Sequence, residues 1–245
     1  MEILGIIPAR FASSRFPGKP LVDINGMSMI QRVYTQAKKS KSLTNVIVAT
    51  DDSRIYKHVL GFGGDVIMTS EKHQTGTDRC AEALKDSKID CDMIINIQGD
   101  EPFIDPEQID RLASCFYTKG TQIATLVKKI TNIEDIFNRN VAKVVLNKDS
   151  EALYFSRSPI PYSRNFEECD WLKDTTYYKH IGLYGFSKHI LKNITKLIPS
   201  NLEKAESLEQ LRWLENGYRI RAAITNIETI PIDTPDDLLK VKDLI

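Results

Sequence analysis

Three cations and no acid lie between Pro8 and Val22: Arg10, Arg15 and Lys19, in the run PARFASSRFPGKPL. Ser13, Ser14 and Gly18 can turn this backbone so that its N–H groups point at an anion. Fixed positive charges with backbone donors are what a triphosphate requires. A solvated basic loop is the bland alternative, but a cationic loop without counter-ions directly after a first apolar run favours anion binding. G-x-x-x-x-G-K-[ST] is absent, so this is no Walker A loop, and no G-x-G-x-x-G marks a dinucleotide fingerprint.

Three more segments carry candidate chemistry. IINIQGDEPFIDP, residues 94 to 106, delivers Gln98, Gly99 and Asp100 at the end of an apolar run. Gly99 permits close backbone approach, and Asp100 suits a magnesium ligand better than a salt bridge to a loop arginine. Glu101 alternates to the other side and is discounted. In HQTGTDRCAEAL, residues 73 to 84, Thr75-Gly76-Thr77 opens a helix whose first amides lack intrahelical partners. Thr77 and Asp78 fit plain capping as well as ligand contact. Arg79 in a first turn opposes the helix dipole, so something negative must compensate it. Asp233 ends a short apolar stretch in IPIDTPDDLL. Asp236 and Asp237 suit the first turn of a following helix, whereas Asp233 has less of that explanation. On residues alone, Asp233 as a second metal ligand stays an open choice.

The elements that must position these groups follow from periodicity. Ile3–Pro8, Asn45–Ala49, Asp65–Met68 and Met93–Gln98 read as short buried strands. Ser28–Lys39, Asp52–Leu60 and Thr77–Lys85 carry helical spacing between them, and Pro106–Tyr117 is a helix capped by Asp105. Such alternation implies a mostly parallel sheet covered on both faces, an α/β doubly wound fold. After about Gly120, Ile123–Val127, Val141–Leu146, Leu153–Arg157 and Ile181–Phe186 cluster with fewer helices, which predicts an antiparallel elaboration over residues 121–187. Ser158–Trp171, rich in proline and aromatics, reads as a long functional loop. Helices are expected at Lys188–Leu197 and Leu202–Glu215, the latter closed by Gly217. A last strand, Tyr218–Ala223, precedes a closing helix, Pro235–Lys242, capped by Thr234. No domain cut is visible, so residues 1–245 are read as one domain.

Bulk composition excludes several classes. The 245 residues are 42% apolar, and 33 basic side chains balance 33 acidic ones. No net field therefore attracts nucleic acid or an anionic membrane. No run approaches a membrane span, and Ile3–Pro8 is too short for a signal sequence. Cys80, Cys91, Cys115 and Cys169 form no C-x-x-C pair and no zinc spacing with the four histidines. They read as buried small side chains in a reducing, cytoplasmic compartment.

The N-terminal segment resembles the signature of sugar-activating nucleotidyltransferases. The spacing Pro-Ala-Arg … Ser-x-Arg-x-Pro-Gly-Lys-Pro-Leu is most similar to the CMP-Kdo synthetase family. The similarity runs from about Ile3 to Lys242. It implies a nucleotide-diphospho-sugar transferase type of fold and transfer of the cytidylyl group of CTP to the acidic sugar Kdo, for lipopolysaccharide synthesis. It further implies Mg²⁺ as cofactor and a homodimer. By the resemblance, Ala9, Arg10, Arg15 and Lys19 meet the nucleotide, Arg10 and Lys19 holding its phosphates. Gly76 and Arg79 also contact the nucleotide, Gln98 lies near base and sugar, and Asp100 and Asp233 bind the metal. Arg10, Lys19 and Asp100 become the candidate catalytic set.

An acidic sugar needs a cationic fork for its carboxylate. YFSRSPIPYSRN, residues 154 to 165, offers Arg157 and Arg164. In YKHIGLYGFS, residues 178 to 187, counting by twos places His180 and Tyr184 on one strand face. ESLEQLRWLENG, residues 206 to 217, reads as an amphipathic helix with Leu208, Leu211 and Leu214 as its stripe. Taken singly, Tyr184 could be core, Glu209 a surface acid and His180 a satisfied strand residue. The family pattern H-I-G-L-Y … L-E-x-x-E-S-L-E-Q-L-R assigns His180, Tyr184, Glu209 and Gln210 to the sugar, with the 121–187 region suited to pairing. Rivals are a cytidylyltransferase for sialic acid or 8-amino-Kdo, and a noncatalytic nucleotide-binding regulator. A glycosyltransferase would want Asp-x-Asp after a strand, and a dehydrogenase its glycines.

Overall fold

A computed structural model describes residues 1–12, 16–228 and 230–241. In chain order the elements are β1 (Ile3–Ala9), β2 (Asp23–Ile24), β3 (Met27–Ser28), α1 (Met29–Ala37), β4 (Asn45–Thr50), α2 (Ser53–Gly61) and β5 (Val66–Met68). Then come α3 (Gly76–Ser87), β6 (Met93–Asn96), α4 (Pro106–Ser114), β7 (Ile123–Lys129), α5 (Ile133–Phe137), β8 (Lys143–Leu146) and β9 (Ala152–Ser156). α6 (Trp171–Asp174), β10 (Tyr178–Ser187), α7 (Lys188–Ile194), α8 (Asn201–Glu206), α9 (Gln210–Glu215), β11 (Ile220–Ile224) and α10 (Pro235–Val241) complete it. The class is α/β with a mostly parallel sheet, as the sequence predicts.

The chain forms two compact units. The first holds residues 1–110, 185–195 and 229–245; the second holds 111–184 and 196–228. In the first, β1 pairs in parallel with β4 on one side and β6 on the other, and β4 pairs with β5. Chain order thus runs outward from β1 to β5 and then jumps back to β6. That reversal at β1 is a topological switch point, where a crevice opens beyond the carboxyl ends of the strands. The strand interiors are apolar because both faces are covered: Leu4, Ile6, Ile7, Ile94 and Ile95 are fully buried. Ser28, Asp52 and Thr75 cap α1, α2 and α3 with side-chain oxygens that accept from Gln31, Arg54 and Asp78 backbone N–H groups. Asp105 does the same for α4, accepting from Glu107 N at 2.8 Å.

In the second unit β11 and β7 are parallel, whereas β8 runs antiparallel to both β9 and the start of β10. The antiparallel elaboration is present. Around it pack Ile130, Ile136, Trp171 and Tyr177, a buried cluster that closes the Ser158–Trp171 loop.

Three expectations are corrected. The predicted helix over Leu202–Glu215 is two helices, because Ser207 takes a left-handed backbone (φ 53°) that ends α8. Cys169 is exposed, while the other three cysteines are buried, and none of the four is in a disulfide among the described residues. A β2–β3 hairpin also stands where no strand was assigned. Asn25 and Gly26, both at positive φ, form its turn, and Asn-Gly is the sequence signal that marks it. No helix among the described residues is long and apolar enough to cross a membrane.

Candidate active site

The switch-point crevice of the first unit is lined by Pro8, Ala9 and Arg10 from the end of β1, and by Lys19 and Pro20 after it. His73, Gln74, Thr75, Gly76 and Arg79 line it from the entry to α3. Gln98, Gly99, Asp100 and Asp233 complete the wall. Of the sequence-assigned residues of the nucleotide and metal sets, Arg15 lies outside the described residues. The rest converge here.

Lys19 is the centre of the charge arrangement. Its Nζ donates to Asp100 Oδ2 at 2.8 Å and to Asp233 Oδ1 at 3.2 Å. Among the described residues, the loop cation paired with Asp100 is Lys19. Backbone packing brings the two acids together across more than a hundred residues. Ile232 is fully buried with Ile24 and Met29, and its N–H donates to Asp100 O at 3.0 Å. That seats Asp233 beside Asp100. Thr234 and Asp237 then cap α10 reciprocally: Thr234 N donates to Asp237 Oδ2 at 3.0 Å, and Asp237 N donates to Thr234 Oγ1 at 3.3 Å. Asp237 is thus explained by capping.

Gly99 shows why the turn after β6 must be glycine. A Cβ there would lie 2.8 Å from Pro8 O, inside any real contact distance. The tight approach brings the turns after β6 and β1 together, and with them Asp100 and Arg10. Glu101, next to Asp100, is 7% exposed; burial, and secondarily the charge of Asp100, push its carboxyl up to about 8.

Arg79 has its negative partner. Its Nη2 donates to Asp51 Oδ2 at 2.6 Å and its Nη1 to Thr69 Oγ1 at 2.5 Å, with the arginine only 3% exposed. Asp51 follows the carboxyl end of β4, where Thr50-Asp51-Asp52 supplied a signal that pattern reading passed over. His73 was also passed over. Its Nε2 hydrogen-bonds the Glu82 carboxylate, which accepts the Ser70 N–H at 2.8 Å as well, fixing the ring at the crevice wall. Glu82 is held below the usual carboxylate range: burial raises it, but the bonds from Ser70 and His73 outweigh that.

The fit of a divalent ion can be tested on these atoms. Mg²⁺ is ordinarily held by one or two carboxylates plus substrate phosphates. Asp100 and Asp233 both reach one Nζ, so two oxygen donors converge on a single point. Among the described residues no group of three or more acids, histidines or cysteines gathers. Two carboxylates completed by phosphate oxygens suit the ion, and a cage made of protein alone is not there.

The second unit gathers the other set. Thr125 Oγ1 lies 2.9 Å from His180 Nε2 and 2.9 Å from Leu183 O. The His180 and Tyr184 rings sit 5.2 Å apart, on one strand face as the period of two predicts. Phe155 packs edge-on to His180 and Trp213 edge-on to Tyr184, at 5.2 and 5.0 Å. Burial pushes the His180 imidazole down to about 3, so it is neutral. Burial, then the charge of Glu209, raises the Tyr184 phenol. Gln210 is 4% exposed, and its Nε2 has no hydrogen-bond partner among the described residues.

The two arginines differ from the expected fork. Each guanidinium nitrogen of Arg157 donates to a backbone carbonyl: Nε to Glu206 at 2.7 Å, Nη1 to Arg139 at 3.0 Å, Nη2 to Ser207 at 3.3 Å. Arg157 braces the chain. Arg164 is exposed, in a separate hollow formed by residues 162–171.

A switch-point crevice with a cationic loop and two converging carboxylates defines a nucleotide-handling α/β transferase. The cytidylyltransferase family profile matches residues 4–222, which makes the class explicit. The 3-deoxy-manno-octulosonate cytidylyltransferase of Parabacteroides distasonis is 58% identical, over 98% of this chain and 96% of its own. That of Cytophaga hutchinsonii is 55% identical, with the same shares. A solved CMP:2-keto-3-deoxy-manno-octonic acid synthetase, complexed with CTP, superposes with TM-score 0.92 at 42% identity, covering 100% of this chain and 98% of that one. The chain belongs to the 3-deoxy-manno-octulosonate cytidylyltransferase family.

Proposed function

We propose that this chain transfers the cytidylyl group of CTP to the anomeric hydroxyl of 3-deoxy-manno-octulosonate, releasing pyrophosphate. The observation that carries the reading is Lys19 in contact with both Asp100 and Asp233 in the crevice beyond β1. Relatives of that name and a likeness to a CTP-bound synthetase support it.

In this reading Arg10 and Lys19 take the phosphates, and the charges fixed there stabilise the departing pyrophosphate. Gly76, Arg79 and Gln98 line the same crevice and hold the nucleoside end, with Arg79 kept in place by Asp51. Asp100 and Asp233 would hold Mg²⁺ together with phosphate oxygens. When bound, that ion neutralises phosphate charge and makes a sugar hydroxyl a better nucleophile. In the second unit, Gln210 offers a buried amide donor and Glu209 an acceptor to the sugar's hydroxyls. His180 and Tyr184 orient it through neutral hydrogen bonds. With its imidazole near 3, His180 is too weak a base to take the proton, so positioning carries the rate. Cysteines outside disulfides support a reducing, cytosolic setting, and we place the enzyme there as a homodimer.

The test is pyrophosphate release from CTP with Mg²⁺, with and without the sugar. Release that requires 3-deoxy-manno-octulosonate is expected. Release only with sialic acid or an 8-amino analogue moves the reading to a sister enzyme. CTP binding with no release for any acidic sugar overturns it in favour of a regulator.

A further inference from the structure

The break between α8 and α9 needs a cause, because the apolar pattern from Leu202 to Leu214 would continue as one helix. Glu206 supplies it. Its Oε1 accepts from Ser156 Oγ at 2.6 Å and its Oε2 from Arg157 N at 2.9 Å. The Arg157 guanidinium returns to the carbonyls of Glu206 and Ser207, the last residue of α8 and its left-handed cap. At the other end of Arg157, the fully buried Lys143 donates to the carbonyls of Arg157, Asn138 and Val141 at 2.7, 2.8 and 2.6 Å. The end of β9 and the end of α8 are therefore clamped in both directions: carboxylate to β9, guanidinium to α8.

What the clamp aims is Gln210. Ser207 ends one helix, Glu209 and Gln210 begin the next, and Gln210 carries a buried side-chain donor with no partner among the described residues. Such a donor costs free energy unless a ligand oxygen satisfies it. We propose that Glu206 is a positioning residue for the sugar subsite, setting the register of α9 so that the Gln210 amide meets a sugar oxygen. This rests on the reading of the second unit as the sugar side. Glu206 touches β9, and in this proposal it acts through Ser207 and Gln210.

A carboxylate accepts on both oxygens, whereas a carboxamide accepts on one and presents an N–H₂ on the other side, so either the Arg157 N–H or the Ser156 hydroxyl can no longer donate to it. Steady-state kinetics of Glu206→Gln should show KM for the sugar raised about tenfold, with KM for CTP within about twofold of the parent. Gln210→Ala should raise the same KM. The double variant should be no worse than the more affected single one, because both act on one contact. Ser156→Ala removes one arm of the clamp and should move the sugar KM about threefold, which serves if Glu206→Gln fails to fold. An unchanged sugar KM in the clamp variant, with Gln210→Ala impaired, overturns this proposal alone. Equal rises in both KM values do the same, since a general loss of structure would affect both substrates. A silent Gln210→Ala overturns the sugar-side reading and this inference with it.

Discussion

The nucleotide crevice of the first unit is built from formal charges, with Lys19 against Asp100 and Asp233 and Arg79 against Asp51. The polar cluster of the second unit is built from neutral groups: Thr125 and the Gln210 amide carry no charge, and burial holds His180 and Tyr184 in their neutral forms. A polyanion accompanied by a cation is gripped by charges of both signs that can change partners. A sugar rich in hydroxyls is read by fixed neutral donors and acceptors, where one missed hydrogen bond is felt in full. The difference predicts that damage to the first unit appears in rate and in overall stability, and damage to the second in the affinity for one substrate.

The largest effect should come from Asp100→Asn. Turnover should fall by roughly 10³-fold, the order expected when a fixed charge at a reacting centre is lost, with the thermal midpoint close to the parent. Near-normal pyrophosphate release would remove Asp100 from the chemistry. Next is Asp51→Ala, which leaves the Arg79 guanidinium buried without its counter-ion. A loss of about 3 kcal/mol, over a hundredfold in the folding equilibrium, is expected in urea unfolding. A cost near zero would mean that the charge pairing of the first unit is ornamental.

Glu209→Ala should be milder: a sugar KM about tenfold higher with CTP use unchanged. An effect confined to CTP would erase the division of labour between the units. The smallest effect concerns pH. His180 titrates near 3 when folded and near 6.5 when unfolded. Between those values the unfolded chain binds the extra proton, so stability falls as pH drops from 6.5 toward 3 and is fully present above 6.5. His180→Asn should flatten that slope in thermal melts taken from pH 7 to 4. An unchanged slope would mean that the ring is more open to water than its packing against Phe155 and Tyr184 indicates.

The two units were also unequally legible in the sequence. Strand ends can be read from apolar runs, and polar residues that follow them fall on the ligand-binding rim by topology. Lys19, Asp100 and Gly76 could therefore be placed before any coordinates. Asp233 could not be fixed from local pattern, because its position depends on Ile232 packing with Ile24 and Met29, a contact more than 200 residues away in sequence. Asp51 was hidden for the same reason, since its partner lies on α3. In the second unit His180 and Tyr184 followed from strand period, but their function rested on family likeness. The α8–α9 break was illegible because helical periodicity runs straight through it, and its cause sits on β9 and β8. The Asn25-Gly26 hairpin, by contrast, was written locally and was simply passed over.

The lysine spanning Asp100 and Asp233 has a consequence for the order of events. While the crevice is empty of nucleotide, its two carboxylates already own a counter-charge, so a lone divalent ion would have to compete with a tethered ammonium. A triphosphate that drew Lys19 to itself would free Asp100 and Asp233 to hold a divalent ion brought with the nucleotide. Because such couplings are reciprocal, nucleotide and ion would each raise the affinity for the other, and the proposed enzyme would admit them as a pair.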